Sequence, residues 1–458
     1  MEFPRASLFF GGQIPDTVIP ADPDAMGDTN KTCSPDAGDR NLNGIASASG
    51  VGSTQLVNAV PSRKVLRGSL FVLVVAFLSV GIAFANHHWI RSKKAAFRNQ
   101  CKEAQDSGKW VELRKISEQW SAWDSSSVDA MLYAADASIH VEDFESAVEF
   151  LSRIPDSDPK ILPSLVVLSK MQFGVINRPL DGVRTCERIL RIDQRATAAH
   201  HQLIEFYAIT LQKRRLEQQI RFAIDCQREP PRAYVYLFLM DTMRIAGASE
   251  SNSRWLEQDP GAELFDVARV LHLPEPENGV SVSSSEDKFS LADGLLKKFP
   301  DNLELLAYKV DVNLRSGDVP GVVQFLSSLP SDADEDNRFW RAKGWLHLNR
   351  NELSKATEAL EEAVRLFPMD WYARNLLADL LRKEGRLTEA EKLHELVQSA
   401  RQLRIRINAI ALNEEIPNDI LTELARLAEQ CNDGQVANAL NRRLKMLDSS
   451  GPYRNKPR

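Results

Sequence analysis

Between residues 303 and 404 one spacing of side chains occurs three times in succession, and it restricts this chain more than any other feature of its sequence. The clearest copy, 337–370, reads Trp340-x2-Lys343-Gly344-x2-His347 and then Ala356-x3-Leu360-x2-Ala363-x4-Pro368. Moving 34 residues forward puts Leu377-Ala378 where Lys343-Gly344 stood and Ala390 where Ala356 stood, with Glu384-Gly385-Arg386 as the turn between them. Moving 34 residues back puts Leu306, Val322 and Leu326 in the same places around Arg315-Ser316-Gly317-Asp318. Apolar residues at helical spacing on either side of a polar turn describe two antiparallel helices. Gly344 and Ala356 are small enough to let those helices approach, Leu360 and Trp340 fill the space beside them, and Pro368 stops the second helix. A single pair has too little surface to bury, so such units are stable only when stacked.

These residues resemble the tetratricopeptide repeat. The family's Trp, Gly, two small residues and terminal Pro have counterparts here, while Lys343 stands where the family has Leu and His347 where it has Tyr. The resemblance implies an all-α, right-handed superhelical solenoid of antiparallel helix pairs whose concave face binds proteins. More degenerate units are expected over 94–272, best over 128–161 through Ala134, Ala135, Ala147 and Leu151. Cys101, Leu113 and Trp120 mark 94–127, Gly182 and Cys186 mark 163–196, and Leu203 and Tyr207 mark 197–230. The polar, breaker-rich run 273–287 reads as a loop or hinge, after which 288–404 holds the C-terminal repeats 303–336, 337–370 and 371–404. Residues 405–447 read as capping helices and 448–458 as a frayed end.

The other strong constraint is an apolar run. From Gly68 to Ile90 there is no Lys, Arg, Asp or Glu, and Leu70 to Phe84 are nearly all aliphatic or aromatic. Roughly 20 such residues cross a bilayer as a helix. Arg63, Lys64 and Arg67 precede the run, Arg91, Lys93, Lys94 and Arg98 follow it, and Trp89 stands where an interfacial aromatic anchors a span. A transmembrane helix at 68–90 is therefore expected, in a single-pass protein whose sidedness the nearly equal basic flanks leave open. Ala83-Phe84-Ala85 has the small-x-small form that signal peptidase accepts, so a cleaved leader stays as an alternative. Before the span, 1–62 is rich in Gly, Ser, Asp, Pro and Asn without apolar periodicity, which predicts a disordered acidic tail. Its Asp39-Arg40-Asn41-Leu42-Asn43-Gly44 copies the opening of a calcium loop, but Gly50 replaces the closing Glu and no amphipathic helix flanks it.

Length and composition exclude other classes. The 458 residues exceed what one core organises, and 43% hydrophobic with 26% charged residues describes a chain with a folded soluble part. A net charge of -6 lacks the basic excess of a nucleic-acid binder. Cys33, Cys101, Cys186, Cys226 and Cys431 are odd in number and far apart, which indicates neither a disulfide framework nor a zinc site. The chain has no phosphate-binding Gly-rich loop or dinucleotide fingerprint, and its adjacent histidines, His87-His88 and His200-His201, lack metal-ligand spacing. No catalytic, cofactor or metal residues are assigned, and one of His200 and His201 is expected to face the core.

What remains is recognition. The first helices of the clear repeats carry Arg338, Arg341 and Trp345, then Tyr372, Asn375 and Asp379, which are expected to be uncommitted to packing and to contact a partner. They differ from the Lys and Asn set by which some family members grip a peptide's terminal carboxylate. The sequence thus predicts a membrane-tethered scaffold that binds proteins. Alternatives are a cell-envelope assembly or secretion component with the solenoid on the outer side, or the docking subunit of a separate enzyme.

Overall fold

The computed structural model describes residues 63–274, 288–410 and 414–449, with side chains from residue 76 to residue 447 outside the two breaks. The tail at 1–62, the loop from 275 to 287 and the C-terminal end from 450 lie outside the described residues. Twenty α-helices and one short 3-10 helix, with no strand, make up the secondary structure of the described residues. The chain divides into two compact units, one holding the described residues up to Ile154 and the other those from Pro155 onward.

The first unit contains α1 (Arg63–Asp106), α2 (Trp110–Trp123), α3 (Val128–His140) and α4 (Phe144–Ser152). Only the last part of α1 is packed. There Cys101 and Ala104 join Leu113 and Trp120 of α2 and Ala130, Tyr133 and Ala137 of α3 in one buried cluster. The Ser127 hydroxyl accepts the Ala130 N–H and Asp143 accepts the Ser146 N–H, so α3 and α4 each start on a side-chain cap. Further back, residues 76–88 of α1 are exposed on every face, with Phe77, Leu78, Val80, Ile82 and Phe84 between 61% and 80% exposed. Among the described residues no helix is long and apolar enough to cross a membrane; of the expected span, residues 68–75 lie outside the described side chains.

The second unit continues the alternation of helices joined by tight turns. It contains α5 (Ile161–Phe173), α6 (Pro179–Ile192), α7 (Thr197–Ile209), α8 (Lys213–Asp225), α9 (Pro231–Leu239) and α10 (Ala248–Gln258). Next come α11 (Glu263–Leu271), α12 (Lys288–Lys298), α13 (Leu303–Ser316) and α14 (Val319–Ser327), followed by the 3-10 helix Ser331–Glu335. The last six are α15 (Asn337–Asn349), α16 (Leu353–Leu366), α17 (Trp371–Lys383), α18 (Leu387–Asn408), α19 (Asn418–Gln430) and α20 (Gly434–Ser449). Helix α18 does not stop at 404 but runs on to Asn408, so the expected start of the capping segment falls inside a helix.

Close approach within a pair has the expected cause. A Cβ placed on Gly344 of α15 would stand 2.5 Å from Cγ and Cδ2 of Leu360 on α16, so a larger side chain there would push the helices apart. Gly182 of α6 meets the Phe173 ring at 2.8 Å in the same way. The last pair also returns to earlier helices. Arg221 on α8 donates to both carboxylate oxygens of Asp433 at 3.2 and 3.1 Å, while the Gln435 amide donates to the Arg221 carbonyl at 3.2 Å and to Asp225 at 2.7 Å. Arg443 on α20 donates to the Glu229 carbonyl at 3.2 Å. These contacts join residues about two hundred positions apart, so α7 to α20 enclose an interior.

Candidate partner-binding cavity

The interior is organised by two aspartates that begin first helices. Asp336 caps α15 by accepting the Arg338 N–H at 2.9 Å, and the Arg338 guanidinium folds back on the same carboxylate, with Nη2 to Oδ2 at 2.6 Å. On its other side Arg338 donates through Nη1 and Nη2 to Glu304 of α13 at 2.6 and 3.1 Å. Residues 304 and 338 are 34 positions apart, so this fork joins equivalent points of successive repeats. Asp370 caps α17 by accepting the Ala373 N–H at 2.8 Å and takes a second bond from the Asn337 amide at 2.7 Å. Arg341 Nη1 lies between Asp370 Oδ1 at 2.9 Å and Asp241 Oδ2 at 3.0 Å.

Burial sets the electrostatics of this network. Burial works against the charge on Arg338, but Asp336 and Glu304 outweigh it and hold the group well above the usual arginine range. Arg341 is treated likewise by burial and then by Asp241 and Asp370, and it too is raised. Burial pushes the Asp370 carboxyl up, with Arg341 offsetting only part of the effect. Asp336 moves the other way because Arg338 outweighs its desolvation. The expectation that Arg338 and Arg341 are uncommitted to packing is therefore corrected: both are buried, Arg338 paired with Asp336 and Glu304 and Arg341 with Asp241 and Asp370.

Above this network opens a cavity of about 500 Å³ whose wall includes seven Lys and Arg side chains and three Asp and Glu side chains. A second pocket of about 180 Å³ adjoins it, sharing Asp241, Thr242, Tyr372 and Arg404, and its wall adds Phe238, Trp371 and Asn375. The Phe238 and Trp371 ring centroids lie 5.4 Å apart, and the buried Trp371 indole N–H makes no hydrogen bond. Tyr372 is 46% exposed, and the Arg341 guanidinium lies 5.2 Å from its ring centroid. The Lys213 ammonium also lines the larger cavity. Burial first, then the nearby Arg338 charge, push it down from the usual lysine range.

Of the six expected contact residues, Arg338, Arg341 and Tyr372 share the large cavity, and Tyr372 and Asn375 share the smaller pocket. Trp345 is half-buried and Asp379 pairs with Arg382 one turn along its own helix; neither lines these cavities. Sequence reasoning missed Lys213, Phe238, Asp241 and Arg404. Arg404 sits one repeat period after Asp370, a signal that would have drawn attention to it, whereas nothing local marks Asp241. His200 is wholly buried, donating from Nε2 to the Gln194 carbonyl at 2.8 Å and accepting from the Gln219 amide at Nδ1. Among the described residues no group of three His, Cys, Asp or Glu side chains is arranged to hold a metal ion.

Residues 341–401 match the family described as tetratricopeptide repeat. This stretch is similar to a tetratricopeptide repeat. The match runs from within α15 to within α18 and includes Arg341, Tyr372 and Asn375, while Arg404 lies just past its end. No curated protein matches the chain. Solved structures similar to it include the APC/C hetero-tetramer Cut9-Hcn1, at 13% identity and TM-score 0.30, covering 76% of this chain and 71% of that one. The yeast Tom70 crystal structure is similar at 12% identity and TM-score 0.27, covering 78% of this chain and 88% of that one. Likeness at this level carries no argument about function.

Proposed function

We propose that the protein is a membrane-tethered scaffold whose repeat domain binds a polypeptide partner in the cavity above Arg338 and Arg341, and that its work is recognition rather than catalysis. The cavity itself carries the reading: buried ion pairs hold its floor, while Tyr372 and Arg404 on its wall present an exposed ring and a guanidinium and Asn375 adds an amide in the adjoining pocket. Aromatic and arginine side chains on a preorganised wall are the usual anchors of an interface, because they add apolar area and hydrogen bonds with little ordering cost. The tether is the apolar run 68–90, of which residues 76–88 show no packed face. A tether confines the cavity to the plane of a membrane and raises the effective concentration of any partner held there.

The test is co-purification of full-length protein from detergent, comparing wild type with a Tyr372→Ala, Arg404→Ala double variant and a Trp345→Ala control. Loss of bound protein from the double variant alone, with helicity unchanged by circular dichroism, is the expected result. Identical partners on all three would place recognition elsewhere and overturn the cavity assignment. The tether is tested separately by alkaline carbonate extraction of membranes: the wild type stays in the pellet, and a Val80→Arg, Ile82→Arg variant leaves it.

A further inference from the structure

The first helix pair extends the membrane reading in a way the sequence does not show. Helix α1 is continuous from the apolar run into the first packed helix, with no linker between them. After the turn at Ser107–Lys109, α2 runs back along α1, so its C-terminal end arrives beside residues some thirty positions earlier. The Trp123 ring meets Trp89 edge-on with centroids 6.1 Å apart and meets Phe97 at 5.9 Å. The Lys93 ammonium lies 5.1 Å from the Trp89 ring centroid and 4.5 Å from that of Trp123. Lys94 fixes the next residue of the α2 end through an ion pair to Asp124 at 2.8 Å. Trp123 therefore stands between Trp89 and Phe97 along α1, about level with Lys93, next to Trp89, which is 55% exposed and closes the apolar run.

We propose that the end of α2, through Trp123 and the turn at 124–127, lies in the headgroup layer of the bilayer that holds α1, forming with Trp89 and Lys93 a two-helix interfacial anchor. The proposal rests on the tether reading. Its occupant is a lipid interface rather than a protein because the patch is continuous with the exposed apolar stretch Phe77 to Phe84. It also pairs indole rings with basic Arg91 and Lys93, the combination that belongs at the boundary between hydrocarbon and phosphate. An anchor on one helix leaves rotation about that helix free. A second contact from α2 fixes which side of the first helix pair faces the membrane, so the first unit projects in one orientation.

The experiment reconstitutes the full-length chain in phosphatidylcholine liposomes whose acyl chains are brominated either near the headgroup or near the chain end, and follows tryptophan fluorescence. Subtracting the spectrum of Trp123→Phe or Trp89→Phe from that of wild type isolates each indole, and Phe preserves the ring contact. Expected is loss of most of both components with the shallow bromine, little loss with the deep one, and no loss for the component removed by Trp110→Phe at the far end of α2. Quenching of Trp89 without quenching of Trp123 overturns the two-helix anchor while leaving the tether intact. Protein that fails to float with the liposomes, with neither indole quenched, overturns the tether and the anchor with it.

Discussion

Replacing Arg341 with Met tests whether the cavity floor is held by charge pairing or merely contains charges. Arg341 is buried, its Asp370 partner is wholly buried, and its Asp241 partner comes from the α9–α10 connection 100 residues earlier. Met fills much of the same volume and adds no polar group, so the cost comes from two carboxylates that lose the cation between them. Removing one partner of a buried pair costs about 3–5 kcal/mol, and the presence of two acids puts this case at the upper end. Each ~1.4 kcal/mol is about tenfold, so amides of α15 and α17 whose exchange requires separation of these repeats are expected to exchange roughly a hundredfold faster or more. The assay is native-state hydrogen exchange read by mass spectrometry on peptides from α15 and α17, with peptides from α5 and α6 as an internal reference. Adding Asp241→Asn to the variant removes one of the facing charges and is expected to restore part of the protection, a non-additivity that contacting residues show and independent ones do not. Less than about fivefold acceleration in Arg341→Met, or no recovery in the double variant, would show that the carboxylates take up a proton or water at small cost and that the network does not hold the floor.

Other outcomes follow from the same packing. Gly344→Ala drives a methyl group into Leu360 and is expected to cost about 1–2 kcal/mol net of the better helix propensity, seen as a lower denaturant midpoint for the unit. His272 donates from Nε2 to the Ile209 carbonyl at 2.9 Å, and burial pushes it down to about 4, so below its ordinary value the unfolded chain takes a proton that the folded chain refuses. Stability is therefore lost as pH falls from about 6.5 toward 4, by about 3 kcal/mol, and His272→Gln is expected to flatten that slope in urea titrations across the window. Among the four described cysteines only Cys226 is not fully buried, while burial pushes the Cys101 and Cys186 thiols up to about 12; N-ethylmaleimide on native protein should modify Cys226 first, as mapped by peptide mass.

The helices were legible because what builds them is local. Gly344, Ala356 and Leu360 carry the pairing of α15 with α16 in their own spacing, and aspartates such as Asp336 and Asp370 stand where caps belong, so all-helical pairing is read without knowing what the pairs touch. The cavity was only half legible, for an equally physical reason. Arg338 and Arg341 read from sequence as free to contact a partner, because an exposed arginine seeking a partner and a buried one already paired look the same there. Their acids come from the preceding repeat, the following repeat and residue 241. Of these only Glu304, 34 positions before Arg338, stands one period from its arginine. Asp241 and Phe238 reach the wall beside Arg341 and Trp371, and α8, which carries Lys213, is held to the start of α20 through Arg221 and Asp433, 212 positions apart; contacts of this kind leave no periodic trace. The same logic applies to Trp123, whose place beside Trp89 depends on where α2 turns back, and the left-handed Gly108 that permits that turn lies far from both rings. Local spacing thus specifies each pair. The surfaces proposed for a partner and for lipid are composed where chain segments far apart in sequence meet, and their residues are found only by following the chain back on itself.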